Sequence, residues 1–179
     1  MRESAKRHFV SGIFILSLLL SSYILYRETE LYVNTYYALS SLKARVLEIS
    51  VIQKNVTETP QICITLKLAI YNPSSVEVKI LSLDFTRGIF LNGIKLSYYK
   101  PKIHNYLNIL IPGREERMLY LRFTITSPSD MQYLIYANTT RQWNWYFIIY
   151  SIVRAEFKEG RINLSSSFEG VSNFTVTEE

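Results

Sequence analysis

The chain has 179 residues and a formal net charge of +5, from 20 Lys plus Arg against 15 Asp plus Glu. An apolar fraction of 48% and a mean hydropathy of +0.05 exclude a disordered tail. Six Gly and five Pro exclude collagen-like material, and a single Cys excludes an internal disulfide framework or a Cys-rich zinc site.

Residues 1–8 carry Arg2, Lys6 and Arg7 against Glu3, a basic flank. Phe9 to Tyr26, FVSGIFILSLLLSSYILY, follows as 18 residues without a charge. As a helix this run spans about 27 Å, close to the hydrocarbon thickness of a bilayer. Tyr23 and Tyr26 fall at its far end, where an amphipathic ring suits the headgroup layer. Arg27, Glu28 and Glu30 then end the run. The reading is an uncleaved transmembrane helix at 9–26 rather than a cleaved signal, because the run is long and no A-x-A-like site follows it. The positive flank precedes the span, so residues 1–8 are expected in the cytoplasm and the rest outside. Gly12, Ser17 and Ser21 are candidate positions for packing against another helix.

Residues 27–43 lack Pro and Gly. Leu31, Thr35, Ala38, Leu39 and Leu42 share one helical face, which predicts a continuation of the membrane helix or a short stalk. Tyr32, Tyr36 and Tyr37 either sit at the outer interface or pack against the domain above.

From Ala44 the period becomes two. Leu47, Ile49 and Val51 predict a first strand. In Gln61 to Tyr71, Ile62, Ile64, Leu66, Leu68 and Ile70 face one way and Cys63, Thr65, Lys67, Ala69 and Tyr71 the other. Cys63 is read as a spectator. Asn72-Pro73 ends that strand, because Pro removes a ladder donor. Val76, Val78 and Ile80 alternate, and the inward parity then slips to Leu81, Leu83 and Phe85, as a β-bulge would cause. Asn92-Gly93 between apolar residues predicts a type I′ hairpin.

A strand over Tyr106 to Ile111 ends at Pro112-Gly113. Leu119, Leu121, Phe123 and Ile125 then alternate with polar partners. Ser127 reads as a helix N-cap, with Pro128 at the first helical position and Asp130 answering it in a capping box. The helix is expected to run to about Asn138. Trp143 to Glu159 predicts one long strand, with Trp143, Trp145, Phe147, Ile149, Val153 and Phe157 inward. Its favoured reading is core packing, with a protein-interface patch second. Arg161 to Phe168 follows after Gly160, and Ser165, Ser166 and Ser167 suggest an edge; Gly170 closes it. About seven strands with one inserted helix predict a mainly β protein, an antiparallel β-sandwich over 44–179.

Four N-x-S/T sequons, at Asn55, Asn138, Asn163 and Asn173, all lie after the apolar run, whereas composition alone predicts about 1.7 in the chain. They are candidate glycosylation sites and agree with an exterior location. Asn72-Pro73-Ser74 is excluded by its Pro.

The order LKLAIYNPSS at 66–75, VEVKILSLDFTRGIFLNGIKL at 76–96, IPGREERMLYLRFTI at 111–125 and YFIIYSIVRAEF at 146–157 resembles the water-stress and hypersensitive-response domain of the late embryogenesis abundant group 2 proteins. The resemblance covers about 46–170, with Asn72-Pro73 and Asn92-Gly93 its most recognisable points. It implies a seven-stranded sandwich of fibronectin type III or immunoglobulin style. Members occur in plants, bacteria and archaea, sometimes behind an N-terminal membrane helix. The Ile-, Tyr- and Ser-rich composition suits an archaeal one. A Gly expected in the penultimate strand appears here as Ser151. The family has no catalytic residues to carry over.

The chain contains no phosphate-binding Gly-rich loop and no H-E-x-x-H. His8 lies in the basic flank and His104 in a loop, so neither has a catalytic partner nearby in sequence. Glu115 and Glu116 are adjacent in a strand, point to opposite faces and read as a solvated turn between Arg114 and Arg117. Lys95, Lys100 and Lys102 with Tyr98, Tyr99 and Tyr106 mix charge and aromatics; an exterior location argues against nucleic acid and for a lipid or glycan contact. No catalytic, metal or cofactor site is expected. The expected function is a membrane-anchored, non-enzymatic binding or structural module of the cell envelope, partnered by the bilayer and by envelope or membrane proteins. The alternative is an accessory subunit of a larger membrane complex or surface filament.

Overall fold

The computed structural model describes residues 2–55, 61–97, 108–156 and 158–178. Helix α1, Arg2–Ser41, is 40 residues long, or about 60 Å. It carries the apolar run and the stalk as one unbroken helix, in keeping with a segment that has no Pro and whose only Gly is Gly12. It is long and apolar enough to cross a membrane, and its apolar stretch is exposed throughout.

The strands are β1 Lys43–Asn55, β2 Gln61–Tyr71, β3 Val78–Leu91, β4 Ile94–Leu96, β5 Ile109–Ile111 and β6 Glu116–Ile125. Helix α2, Pro128–Thr140, comes next, and β7 Asn144–Ala155, β8 Lys158–Glu169 and β9 Asn173–Glu178 complete the chain. One sheet has the order β6-β2-β1-β9 and the other β4-β3-β7-β8, with β5 also on β3. The protein is therefore mainly β, with two sheets and two helices among the described residues. Phe85 on β3 and Phe123 on β6 meet edge to face at 4.9 Å between the two sheets. The buried apolar residues of both sheets form one core.

Several sequence expectations appear as drawn. The register shift between Ile80 and Ser82 is the bulge inferred from the parity slip. Asn92 and Gly93 have φ of 47° and 83°, as a type I′ turn requires. The Ser-rich β8 is an edge strand. Trp143, Trp145 and Phe147 stack successively inside the core, at 5.7 Å and 6.0 Å between rings. The Trp145 indole N–H donates to the Gly170 carbonyl at 3.1 Å, so the buried ring leaves no orphan donor.

Other expectations are corrected. Nine strands are present among the described residues, and β9 runs parallel to β1 beside otherwise antiparallel pairs. In β1 a second bulge, between Val46 and Glu48, puts Val46 inward and leaves Leu47 half-buried. The same displacement at the bulge after Ile80 leaves Leu81 half-buried while Leu83 and Phe85 turn inward. The long strand from Trp143 ends at Ala155, where Glu156 turns with φ 50° and Ala155 pairs Lys158. Gly160 lies inside β8 and is no turn. Asp130 closes no capping box: its Oδ2 accepts from the Ser97 amide at 2.8 Å, and Ser127 Oγ pairs with Ser129 Oγ at 2.9 Å. These local bonds were decided by which loops meet. Only Ile109–Ile111 of the expected Tyr106–Ile111 strand is described as strand; Tyr106 and Phe157 lie outside the described residues.

Candidate functional site

The last turns of α1 are part of the core. Thr35, Ala38, Leu39 and Leu42 are buried, while Tyr32 and Tyr36 stand at the margin of that contact. The Lys158 ammonium on β8 lies over the Tyr32 ring at 4.8 Å and near the Tyr36 ring at 5.8 Å, and it donates to the Tyr32 hydroxyl at 3.4 Å. The Tyr pair is four residues apart, one helical turn, so both rings reach one cation. Below them Leu39 packs over Gly160, where an added Cβ would sit 3.4 Å from Leu39 Cδ1. That is ordinary van der Waals spacing, so the helix packs on β8 at a distance that would also admit a Cβ. The stalk is thus joined to the body by packing and by one cation, and cannot be treated as a separate linker.

At the same end of the sheets, Asn72 is fully buried. Its Nδ2 donates to the carbonyls of Val76, Ile111 and Pro112 at 2.8, 3.2 and 3.2 Å. Its Oδ1 accepts from the Ser74 amide at 3.1 Å and the Ser74 hydroxyl at 2.7 Å. The Asn72 amide donates to Glu115 O, and the Arg114 amide to Ser74 O. One side chain therefore ties the loop after β2 to the loop after β5. Gly113 is required there, because a Cβ would meet the Ser75 carbonyl oxygen at 2.5 Å. Sequence reading found Asn72-Pro73 as a strand end and missed this cross-tie; the short polar Asn-Pro-Ser run was its only signal.

No catalytic grouping emerges from the residues singled out in the sequence. Among the described residues no three of His, Cys, Asp and Glu are placed to hold a metal. Cys63 is buried, with its sulfur 4.0 Å from the Thr124 hydroxyl. Glu115 pairs with Arg117 at 3.9 Å and Glu116 with Arg45 at 3.6 Å, all on the exposed margin. His8 is exposed on α1. His104, Lys100, Lys102, Tyr98 and Tyr99 lie outside the described residues, and Lys95 is exposed on β4. An apolar cleft of about 210 Å³ lies between α2 and the ends of β1 and β2, lined by Gln53, Ile62, Met131 and Ile135. A cleft of about 220 Å³ lies over Lys79 and Arg154. Both fall short of the roughly 300 Å³ at which small-molecule sites begin.

The sequons are placed differently from one another. Asn163 and Ser165 are both exposed on β8, on one face of the strand. Asn173 is exposed at the start of β9 with Thr175 half-buried. Asn138 is exposed on α2, and the Thr140 hydroxyl donates to the Tyr136 carbonyl at 3.0 Å. The Asn55 side chain lies outside the described residues. Of the candidate helix-packing positions, Ser17 and Ser21 stand one turn apart on a common face, but Gly12 is about 140° round from Ser17. The three do not form one stripe.

No family model matches the chain, and no curated protein matches it. Among solved structures it is similar to one described as "Crystal structure of protein from Archaeoglobus fulgidus", at 12% identity and a TM-score of 0.36. That match covers 69% of this chain and 96% of the other. A likeness of this level does not define a fold.

Proposed function

We propose that the protein is a single-pass membrane protein whose outward-facing body is a β-sandwich of fibronectin III or immunoglobulin style, similar to the late embryogenesis abundant group 2 domain. It serves as a non-enzymatic binding or structural module of the cell envelope. The observation that carries this reading is the continuity of α1, which runs from an exposed apolar span directly into the core of the body. Such a joint transmits position, as a scaffold needs, and leaves loops and strand edges free for contacts. The basic flank Arg2, Lys6 and Arg7 supports a cytoplasmic N-terminus.

The test is membrane fractionation of the full chain, with cysteines placed in turn at Ser4 and Asn163, followed by labelling with a membrane-impermeant maleimide. The expected result is protein that resists alkaline extraction and labels from outside only at Asn163→Cys. Extraction by alkali overturns the anchor, and outside labelling only at Ser4→Cys overturns the orientation. A second reading, a subunit of a larger complex, is favoured by the exposed Val33, Tyr36 and Tyr37 on the stalk. Size measurement in mild detergent, with identification of co-purifying proteins, separates the two.

A further inference from the structure

The joint between α1 and the body fixes how far the body stands from the bilayer. Tyr26 ends the apolar run, and Tyr32, whose ring lies against the Lys158 ammonium, comes six residues later, or about 9 Å along an unbroken helix. The headgroup layer beyond the hydrocarbon is about 5–7 Å deep, so Lys158 stands at its outer margin. Tyr32 meets Lys158 and Leu39 meets Gly160, so β8 and α1 leave the membrane in the same direction. The turn at Glu156, before β8 begins, therefore points toward the lipid. At that end Leu110 of β5, Lys79 of β3 and Arg154 of β7 are direct cross-strand neighbours. They lie on the outer face of the sheet, since Val78, Ile80, Val153 and Ala155 beside them are buried. With Glu77 and Glu156 they line the cleft of about 220 Å³. Like charges directly opposite repel; Arg154 is paired with Glu159, whereas Lys79 forms no ion pair among the described residues. Leu110 beside it is exposed.

We propose that this end of the body docks on the bilayer surface, and that the cleft takes the headgroup of a phospholipid carrying both a phosphate and an ammonium group. The proposal rests on the membrane-anchor reading above. The occupant is lipid because the same helix that carries the apolar span holds the cleft at headgroup height. Lys79 and Arg154 donate to the phosphate oxygens, which relieves the repulsion between the two cations. Glu77 and Glu156 receive the ammonium group, and Leu110 meets the glycerol end of the lipid. The charged side chains lining the cleft are two cations and two carboxylates, so they match a zwitterion better than a purely anionic lipid. A cleft of this volume does not enclose a free ligand. A headgroup already held beside it by the membrane needs no enclosure, because its effective concentration is high.

The test uses the full chain, with Cys63→Ala as background, in phosphatidylcholine vesicles containing a lipid with a nitroxide on its headgroup. A fluorophore is attached at Glu156→Cys or at Glu169→Cys, the latter about 36 Å along β8 from Lys158. The expected result is loss of fluorescence at Glu156→Cys and none at Glu169→Cys. Equal loss at both positions, or none at Glu156→Cys in protein that resists alkaline extraction, overturns the docking and leaves the anchor standing. Protein extracted by alkali removes the anchor and the docking together. The headgroup is tested by melting the unlabelled chain in bilayers of phosphatidylcholine, of phosphatidylglycerol and of an uncharged glycolipid. The melting temperature is expected to be about 2–4 °C higher in phosphatidylcholine than in either of the others, and Lys79→Gln with Arg154→Gln should remove the difference. Equal melts in phosphatidylcholine and the glycolipid, or the highest melt in phosphatidylglycerol, overturn the zwitterion match. A difference that survives the double substitution overturns the cleft as its origin.

Discussion

The Val46 amide donates to Ser166 Oγ at 3.0 Å, joining β1 of one sheet to β8 of the other across 120 residues of chain. The bulge beside Val46 and the start of β9 pairing at Ser50 explain the bond. Below Ser50 the outer edge of β1 has no β9 beside it, and the serine of β8 supplies the acceptor. Replacing it as Ser166→Ala leaves a buried N–H without a partner. The expected loss is about 1–3 kcal/mol, measured by urea unfolding of the anchor-free body. Unchanged stability would mean that water replaces the hydroxyl.

Asn72 makes five side-chain hydrogen bonds from a fully buried position. Asn72→Ala takes Oδ1 from the buried Ser74 amide and Nδ2 from the carbonyls of Ile111 and Pro112, leaves Val76 O only the Ser74 hydroxyl, and lets the two loops separate. A loss of about 2–4 kcal/mol is expected, with Asn72→Asp equally poor because a carboxylate cannot donate to those carbonyls. Gly113→Ala in the same cross-tie should also destabilise, by about 1–3 kcal/mol, since the Ser75 carbonyl cannot move without breaking the tie. Thermal melts of the three variants check this.

The helix end is a structural part of the body, so the boundary at which the chain is shortened matters. A chain starting at residue 28 retains Ala38, Leu39 and Leu42; one starting at 43 loses them. The shorter chain should be less stable by about 3–6 kcal/mol, from two buried leucines and their cavity. Equal urea midpoints for the two chains would show that α1 merely leans on the sheets. Lys158→Ala, which removes the cation above Tyr32, should cost only about 0.5–1 kcal/mol.

If the body is outside the cell, the sequons should differ in occupancy. On β8, Asn163 and Ser165 present amide and hydroxyl on one side. On α2, positions two apart diverge by about 200°, and the Thr140 hydroxyl is already bonded to the helix. Mass spectrometry of protein from its own membranes should find glycan at Asn163 in excess over Asn138. The reverse order would show that modification precedes folding and ignores this geometry.

The long apolar N-terminal helix, the alternating strands, the bulge after Ile80 and the Asn92-Gly93 turn were legible because each depends on neighbours within a few residues. The shared face of Leu31, Thr35, Ala38, Leu39 and Leu42 was equally legible, and it is the face that docks. The error at Gly160 has the opposite origin. A glycine between two strand-like runs reads as a break, yet Gly160 lies within β8, paired to Val153, with Leu39 of α1 packed above it.

The parallel strand β9 was missed because its short polar run Asn173–Glu178 has no strong alternation and is held by pairing with β1, far away in sequence. Ser151 looked like a departure from a pattern; its hydroxyl donates at 2.9 Å to Ser82 O, the carbonyl beside the bulge. By itself, then, the sequence determined the helix, the strand faces away from the bulges at Leu47 and Leu81, and the absence of the usual catalytic motifs, since periodicity and residue chemistry are local properties. The tertiary structure alone decided which polar side chains became cross-ties and which side of α1 stayed uncovered. Those depend on loops and edges brought together by the collapse of two sheets onto one core.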